Sequence, residues 1–250
     1  MKIAVCIKQT ADTETVPGLD ADGTRVLTDD ITWIINPHDE SALEVALRQV
    51  EEYGGSVTVL ALGPQRVQKA LREGLAMGAD RAIHLRCERM PNDARVTARA
   101  LKPILESEGF DLVLAGQVSV DNGGGQLPQR LGVLLGWPSV SAVEGLEVDG
   151  RKLTAQRPVE GGREQHELNL PAVIGINRRI GEPRYPSFRN IMKAKRKPVI
   201  AIEVTLEPSQ LVCEQLRLPP QKTAGQIMTY GPGVADRVAH LIRSEAGIVW

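Results

Sequence analysis

The sequence predicts a three-layer α/β/α domain of the doubly wound type, with a mostly parallel sheet, antiparallel additions and a C-terminal extension. Three observations carry this. Short apolar runs at 3–7, 57–62, 82–85 and 111–115 read as strands buried on both faces. Stretches with apolar residues at helical spacing separate them. A length of 250 residues is enough for one large core. The expected division is an α/β domain over 1–204, with a basic loop at 182–197, and an extension over 205–250.

The elements follow in order. Residues 3–7 (IAVCI) between Lys2 and Lys8 form the first strand, and the Gly- and Asp-rich stretch 18–32 is a loop or small hairpin. Asn36, Pro37 and Asp39 supply an N-cap, a proline at the first helical position and an acid in the first turn. Ala42, Leu43, Ala46, Leu47 and Val50 carry the helix on to Gly54-Gly55. The strand 57–62 (VTVLAL) turns at Gly63-Pro64 into a helix with Val67, Ala70, Leu71 and Leu75 on one face, stopped at Gly78. A strand at 82–85 leads to a helix over 93–108 capped by Asp93, which Pro103 is expected to kink or shorten. A strand at 111–115 (DLVLA) precedes a glycine-rich loop, 116–125, and a helix over 126–135.

After Trp137-Pro138 the pattern turns to alternation. Residues 146–148, Asp149-Gly150 and 152–157 read as a hairpin. Gly161-Gly162 makes a second turn into 165–170, followed by the apolar strand 172–176. These are expected as antiparallel additions to the same sheet. A last strand covers 198–204, and a short helix around 234–242 follows a Pro- and Gln-rich stretch.

Composition narrows the function. Lys plus Arg number 30 and Asp plus Glu 31, so the chain is not globally basic in the manner of a nucleic-acid binder. Three scattered cysteines, Cys6, Cys87 and Cys213, form neither a disulfide framework nor a CxxC zinc motif, and fit a reducing compartment. With no signal-peptide pattern and no membrane-length apolar run, the expected location is the cytoplasm. His38, His84, His166 and His240 form no HExxH grouping, and no GxSxG elbow is present. The chain therefore reads as a binder, with neither catalytic residues nor a metal site.

The strongest chemical signal is the loop 116–125. Ligands of doubly wound sheets sit beyond the carboxyl ends of the strands. Gly123, Gly124 and Gly125 bare the backbone amides just before a helix N-terminus, which suits a phosphate, and Ser119, Asp121, Asn122 and Gln126 suit a ribose or phosphate. The alternative is a loop with no ligand. Asn36 reads either as a helix cap or as a residue facing the crevice, and Lys8 either as a phosphate ligand or as a solvated charge at a strand end.

The second signal is the segment 178–197, which holds eight basic residues and one acid, Glu182, interrupted by Tyr185 and Phe188. Ser187 is placed to cap a short helix through Lys195. The segment is a solvated charged loop, a docking loop with an aromatic anchor in a cationic rim, or an RNA-binding patch. Ile191 and Met192 beside Phe188 favour docking.

Several longer motifs are similar to the beta subunit of electron transfer flavoprotein: AVCIKQ at the start, Asn36-Pro37, ALGPQ at 61–65, LAMGADRAIHL at 75–85 and DLVLAGQ at 111–117. VEGGREQHELNLPAVIGIN at 159–177, EPRYPSFRNIMKAKRKP at 182–198 and PPQKTAG at 219–225 are the specific ones. The resemblance implies a heterodimer with an alpha subunit, which holds most of the FAD, while the extension packs on that subunit. It implies that residues 1–204 form an adenine-nucleotide-binding α/β domain and that the beta subunit carries an AMP. It also implies electron transport from flavin dehydrogenases of the acyl-CoA type, as in fatty acid β-oxidation, to a quinone-reducing oxidoreductase.

By resemblance, the nucleotide site maps onto Cys6, Asn36, Pro37, His38, Asp39 and Leu62, together with Gly116, Gln117, Val118, Ser119, Val120, Asp121, Asn122, Gly123, Gly124, Gly125, Gln126 and Leu127. Partner recognition maps onto Arg184, Tyr185, Pro186, Ser187, Phe188, Arg189, Ile191, Met192 and Lys193, with Phe188 in place of an anchoring leucine. Two departures stand out. Gly125-Gln126-Leu127-Pro128 replaces Asn-Gln-Thr-Gly, which removes side-chain bonds to a phosphate and leaves both AMP and a second FAD, as in electron-bifurcating members, as occupants. His166 stands where the family has an aliphatic residue. The alternative of another class, a stand-alone nucleotide-binding or nucleotide-hydrolysing protein, would be expected to carry an SGGxD-type motif, which is absent.

Overall fold

Strands without a polar face must be covered on both sides, and that requirement organises the chain. A computed structural model describes residues 1–15, 17–28, 31–218, 220, 227–229 and 231–245. It contains β1 (Lys2–Cys6), β2 (Gln9–Ala11), β3 (Trp33–Ile35), α1 (Pro37–Tyr53), β4 (Ser56–Gly63), α2 (Gln68–Met77), β5 (Arg81–Arg86), α3 (Ala94–Ser107), β6 (Leu112–Gly116) and α4 (Leu127–Leu135). There follow β7 (Ser139–Val143), β8 (Gly145–Asp149), β9 (Lys152–Val159), β10 (Gly162–Asn169), β11 (Ala172–Ile176), α5 (Phe188–Arg196), β12 (Val199–Glu203) and α6 (Val234–Glu245). Two compact units divide at Gln215, so the first runs past the expected boundary at 204, and α6 belongs to the second.

The main sheet has seven strands in the order β12-β5-β4-β1-β6-β11-β7, every pair of them parallel. Side chains alternate between its faces. Ile3, Val5, Val57 and Val59 pack under α1 and α2, while Ala4, Cys6, Leu60 and Leu62 face Ala98, Leu101 and Leu105 of α3 and Leu131 of α4. The chain extends from β1 through β4 to β5 on one side, then returns to place β6 on the other side of β1. That reversal opens a crevice at the carboxyl end of β1, where such sheets bind ligands.

Three expectations need correction. The strands β8, β9 and β10 form a separate antiparallel sheet rather than additions to the main one, and β11 lies in the main sheet, parallel to β6. The reason is burial: β10 alternates exposed and half-buried positions, whereas all five residues of β11 are buried. A strand with one wet face does not fit inside a sheet covered on both sides. The edge strand β7 is a further element that the sequence pattern did not reveal. Thirdly, α3 continues through Pro103 to Ser107. Pro103 and Arg99, whose carbonyl loses its helical partner, are both exposed, so the helix can continue with that carbonyl open to solvent.

Candidate functional site

At the crevice, one carboxylate ties two parallel strands together. Asp39, buried in the first turn of α1, accepts the Lys8 N–H on Oδ2 at 2.8 Å and the Gly116 N–H on Oδ1 at 2.8 Å. It thereby spans the ends of β1 and β6. Burial pushes its pKa up from the ordinary 3.8 to about 7, against the pull of those two N–H groups. The folded chain therefore keeps a proton that the unfolded chain releases between about pH 4 and 7. This group's contribution to stability falls as pH rises through that window and is constant above it. The difference in unfolding free energy between the native chain and Asp39→Asn is expected to decline from pH 4.5 to 7.5, by about 3 kcal/mol. Urea titrations at the two pH values check this, and a pH-independent difference would refute it.

Asn36 heads α1 but makes no side-chain cap bond. Its backbone carbonyl takes the first helical N–H groups, while its side chain reaches the glycine loop. Nδ2 donates to the Val118 carbonyl at 2.9 Å, and Oδ1 accepts the Val120 N–H at 3.1 Å. Asn36 thus borders the crevice and clamps its loop, where the other expectation is a side-chain cap. Lys8 grips the same loop one residue along: Nζ lies 2.7 Å from Asp121 and 3.3 Å from Ser119 Oγ. Ser119 Oγ donates to Asn122 Oδ1 at 2.7 Å, and that oxygen also accepts the Gly124 N–H at 3.2 Å. Gly123 and Gly125 turn the chain at φ values of 61° and 59°. The loop is thus shaped by side chains from β1, the head of α1 and the loop itself.

Between the loop and α3 lies a cleft of about 230 Å³ with mainly apolar walls. Of the residues expected at a nucleotide site, Cys6, Asn36, Asp39, Leu62, Gly116, Gln117, Val118, Ser119, Asn122, Gly124, Gly125, Gln126 and Leu127 border it, and Lys8 joins them. Pro37, His38, Val120, Asp121 and Gly123 do not line it. His38 Nδ1 instead accepts the Arg178 N–H at 3.3 Å, and burial, with Arg178 nearby, holds its pKa below the usual value. Cys6 is buried, and burial, with the Asp39 charge next in effect, pushes its thiol up to about 12, so it packs rather than attacks.

Sequence reasoning missed the far wall: Met90, Pro91, Asn92, Ala94, Thr97 and Leu101 after β5, and Leu211. The loop after β5 was within reach of the same rule that picked the others, since it too leaves a carboxyl strand end. Leu211 had no signal. The segment bearing it is pinned by Asp93, which caps α3 through the Arg95 N–H at 2.8 Å and accepts the Gln210 N–H at 3.1 Å.

The basic segment forms a second surface. Tyr185 is 97 % and Phe188 78 % exposed, with Ile191 and Met192 beside them. Its base is fixed. Arg184 lies 2.8 Å from the buried Glu44 and 2.9 Å from Glu51, both on α1, so it anchors the loop. Ser187 caps α5 through the Asn190 N–H at 3.2 Å. Ala194 is buried, its carbonyl accepts from Arg72 at 2.7 Å, and Lys197 Nζ donates to the Ala79 carbonyl at 2.6 Å. Pro186 is half-buried. The exposed Arg189 and Lys193 make no ion pair with a described residue.

Among the described residues, no group of three or more His, Cys, Asp or Glu is arranged to hold a metal, and no helix is long and apolar enough to cross a membrane. Comparison with known proteins gives one consistent result. The model of the electron transfer flavoprotein domain matches residues 24–207. The chain is 35 % identical over 260 residues to the electron transfer flavoprotein subunit beta of Bacillus subtilis, covering 100 % of both chains. It is 39 % identical to the subunit beta of Syntrophomonas wolfei, over 90 % of this chain and 88 % of that one. To the human subunit beta it is 34 % identical, over 90 % and 91 % respectively.

Proposed function

The chain belongs to the electron transfer flavoprotein family, whose beta subunits it matches along their length, and on that premise we propose that it works as the beta half of a heterodimer with an alpha subunit. Its role is electron transfer, as a carrier and not as an enzyme. In this proposal FAD sits at the subunit interface, held mainly by the alpha subunit, and supplies the redox chemistry. Electrons come from flavin dehydrogenases of the acyl-CoA type and go to a quinone-reducing oxidoreductase, in the cytoplasm. The C-terminal extension packs on the alpha subunit.

The cleft takes AMP. The observation that carries this is a small, apolar-walled cleft closed on one side by a pre-shaped glycine loop. Its volume of about 230 Å³ lies below the roughly 300–1,000 Å³ of typical cofactor pockets, which suits a mononucleotide better than a second dinucleotide. Leu62 and Leu101 offer flat apolar cover for an adenine. The amides of Gly125 and Gln126, at the head of α4, suit a phosphate. Asn36 and Lys8 hold that loop in place, so little is lost in ordering it.

Co-expression with an alpha subunit is expected to give a yellow heterodimer that releases, on denaturation, about one AMP and one FAD by mass. Two FAD and no AMP would move the chain to the electron-bifurcating class. A colourless monomer that hydrolyses nucleotides would favour the stand-alone reading.

A further inference from the structure

Lys8 borders the cleft, while Arg95 and Arg130, outside its lining, belong to α3 and α4, the helices whose first residues border it. Lys8 is paired with Asp121 at 2.7 Å. Arg95 is paired with Asp93 at 3.7 Å and with Glu207 at 3.2 Å. Arg130 has no carboxylate within ion-pairing distance among the described residues. Its side-chain hydrogen bonds to described residues go to a neutral group: Nε and Nη2 both donate to Gln126 Oε1, at 3.0 and 2.8 Å, and Asp93 feels its charge without forming an ion pair.

The position of that guanidinium is informative. Arg130 is in the first turn of α4, and helical side chains lean toward the N-terminus. Its bonds to Gln126, the residue heading the helix and bordering the cleft, place the charge beside the exposed amides there. A cation at the positive end of a helix is unfavourable unless an anion joins it. Two features of the chain point the same way. Gly125, Leu127 and Pro128 offer no side-chain donor to a phosphate, and the nearest lysine is already neutralised by Asp121.

We propose that Arg130 is the phosphate-binding cation of the cleft, supplying a charged donor to the terminal phosphate of the bound mononucleotide. This rests on reading the cleft as a nucleotide site. When the phosphate arrives, the guanidinium keeps Gln126 with one N–H and turns its remaining donors to the anion, which relieves its unfavourable place at the helix head.

The test is calorimetric titration of the full chain, stripped of nucleotide, with AMP and with adenosine. The native chain is expected to bind AMP more tightly than adenosine. Arg130→Met should weaken AMP about tenfold, in line with one hydrogen bond to a charged group, and leave adenosine unchanged. Arg130→Lys should keep most of the AMP affinity. The AMP advantage should also shrink with added salt in the native chain, and less so in Arg130→Met. Equal AMP affinity in native chain and Arg130→Met would overturn the role of Arg130 while leaving the nucleotide site intact. Equal losses for AMP and adenosine would also overturn it, since Arg130 would then act only by holding Gln126. A native chain that binds neither compound would instead remove the nucleotide reading on which the proposal rests.

Discussion

Gly116→Ala is expected to destabilise the chain by about 3 kcal/mol, at the upper end of overpacking costs, and to abolish retention of the nucleotide proposed for the cleft. A methyl group at this position would fall 2.6 Å from His38 Cβ and 2.9 Å from the His38 backbone carbonyl carbon, and it would also strike the Asp39 carboxylate. The obstacle is largely backbone and a buried, doubly bonded carboxylate, so no side chain can swing aside. Either α1 shifts away from the end of β6, or Asp39 gives up the Gly116 N–H; each outcome opens the cleft. Gly109→Ala makes the right control. Gly109 has φ +64° and open space around it, so alanine there costs only the conformational penalty of the left-handed region, about 1–2 kcal/mol. Urea unfolding of the two variants separates the effects. Equal destabilisation would mean that the approach of α1 to β6 is not the constraint it is argued to be.

The same contact explains what the sequence could and could not reveal. Strands β1, β4 and β6 are legible because a strand buried on both faces has to be an apolar run, and the crevice beyond their ends follows from the topology. Strand β7 is not legible: with Ser139 and Ser141 in five residues, an edge strand of this kind looks like loop. The β8–β10 alternation is legible as strand, but alternation reports one wet face and does not name the sheet. Asn36 shows a different limit. Asparagine suits a helix cap and a loop clamp equally, and its partners Val118 and Val120 lie more than eighty residues away. Arg184 was within reach. Glu44 and Glu51 stand seven residues apart, two helical turns, on one face of α1, a carboxylate stripe waiting for a cation. Counting the charge of the loop alone put Arg184 on the surface, whereas its partners belong to another element.

That reassignment of Arg184 sharpens the second large effect. With the base of the basic segment bound to α1 and α2, its apex is a rigid display of Tyr185 and Phe188 that the fold itself does not use. An aromatic ring 78 % exposed in a chain with only two phenylalanines carries no core packing, so Phe188→Ala should leave unfolding free energy and cofactor content unchanged. If Phe188 is the anchor by which a dehydrogenase is gripped, the same change should lower kcat/KM for electron transfer about thirtyfold, the equivalent of a hot spot of about 2 kcal/mol. The loss should appear mainly in KM for the dehydrogenase. Arg189→Ala and Lys193→Ala, at the rim, should cost less, and their effect should fade as salt is raised, because exposed charges steer encounters more than they hold complexes. Arg184→Met should behave differently from all three. It leaves the buried Glu44 with Arg48 as its remaining ion-pair partner and frees the loop, lowering stability and transfer together. Unchanged kinetics for Phe188→Ala across a full range of dehydrogenase concentration would take the docking role from this loop, however exposed its aromatics are.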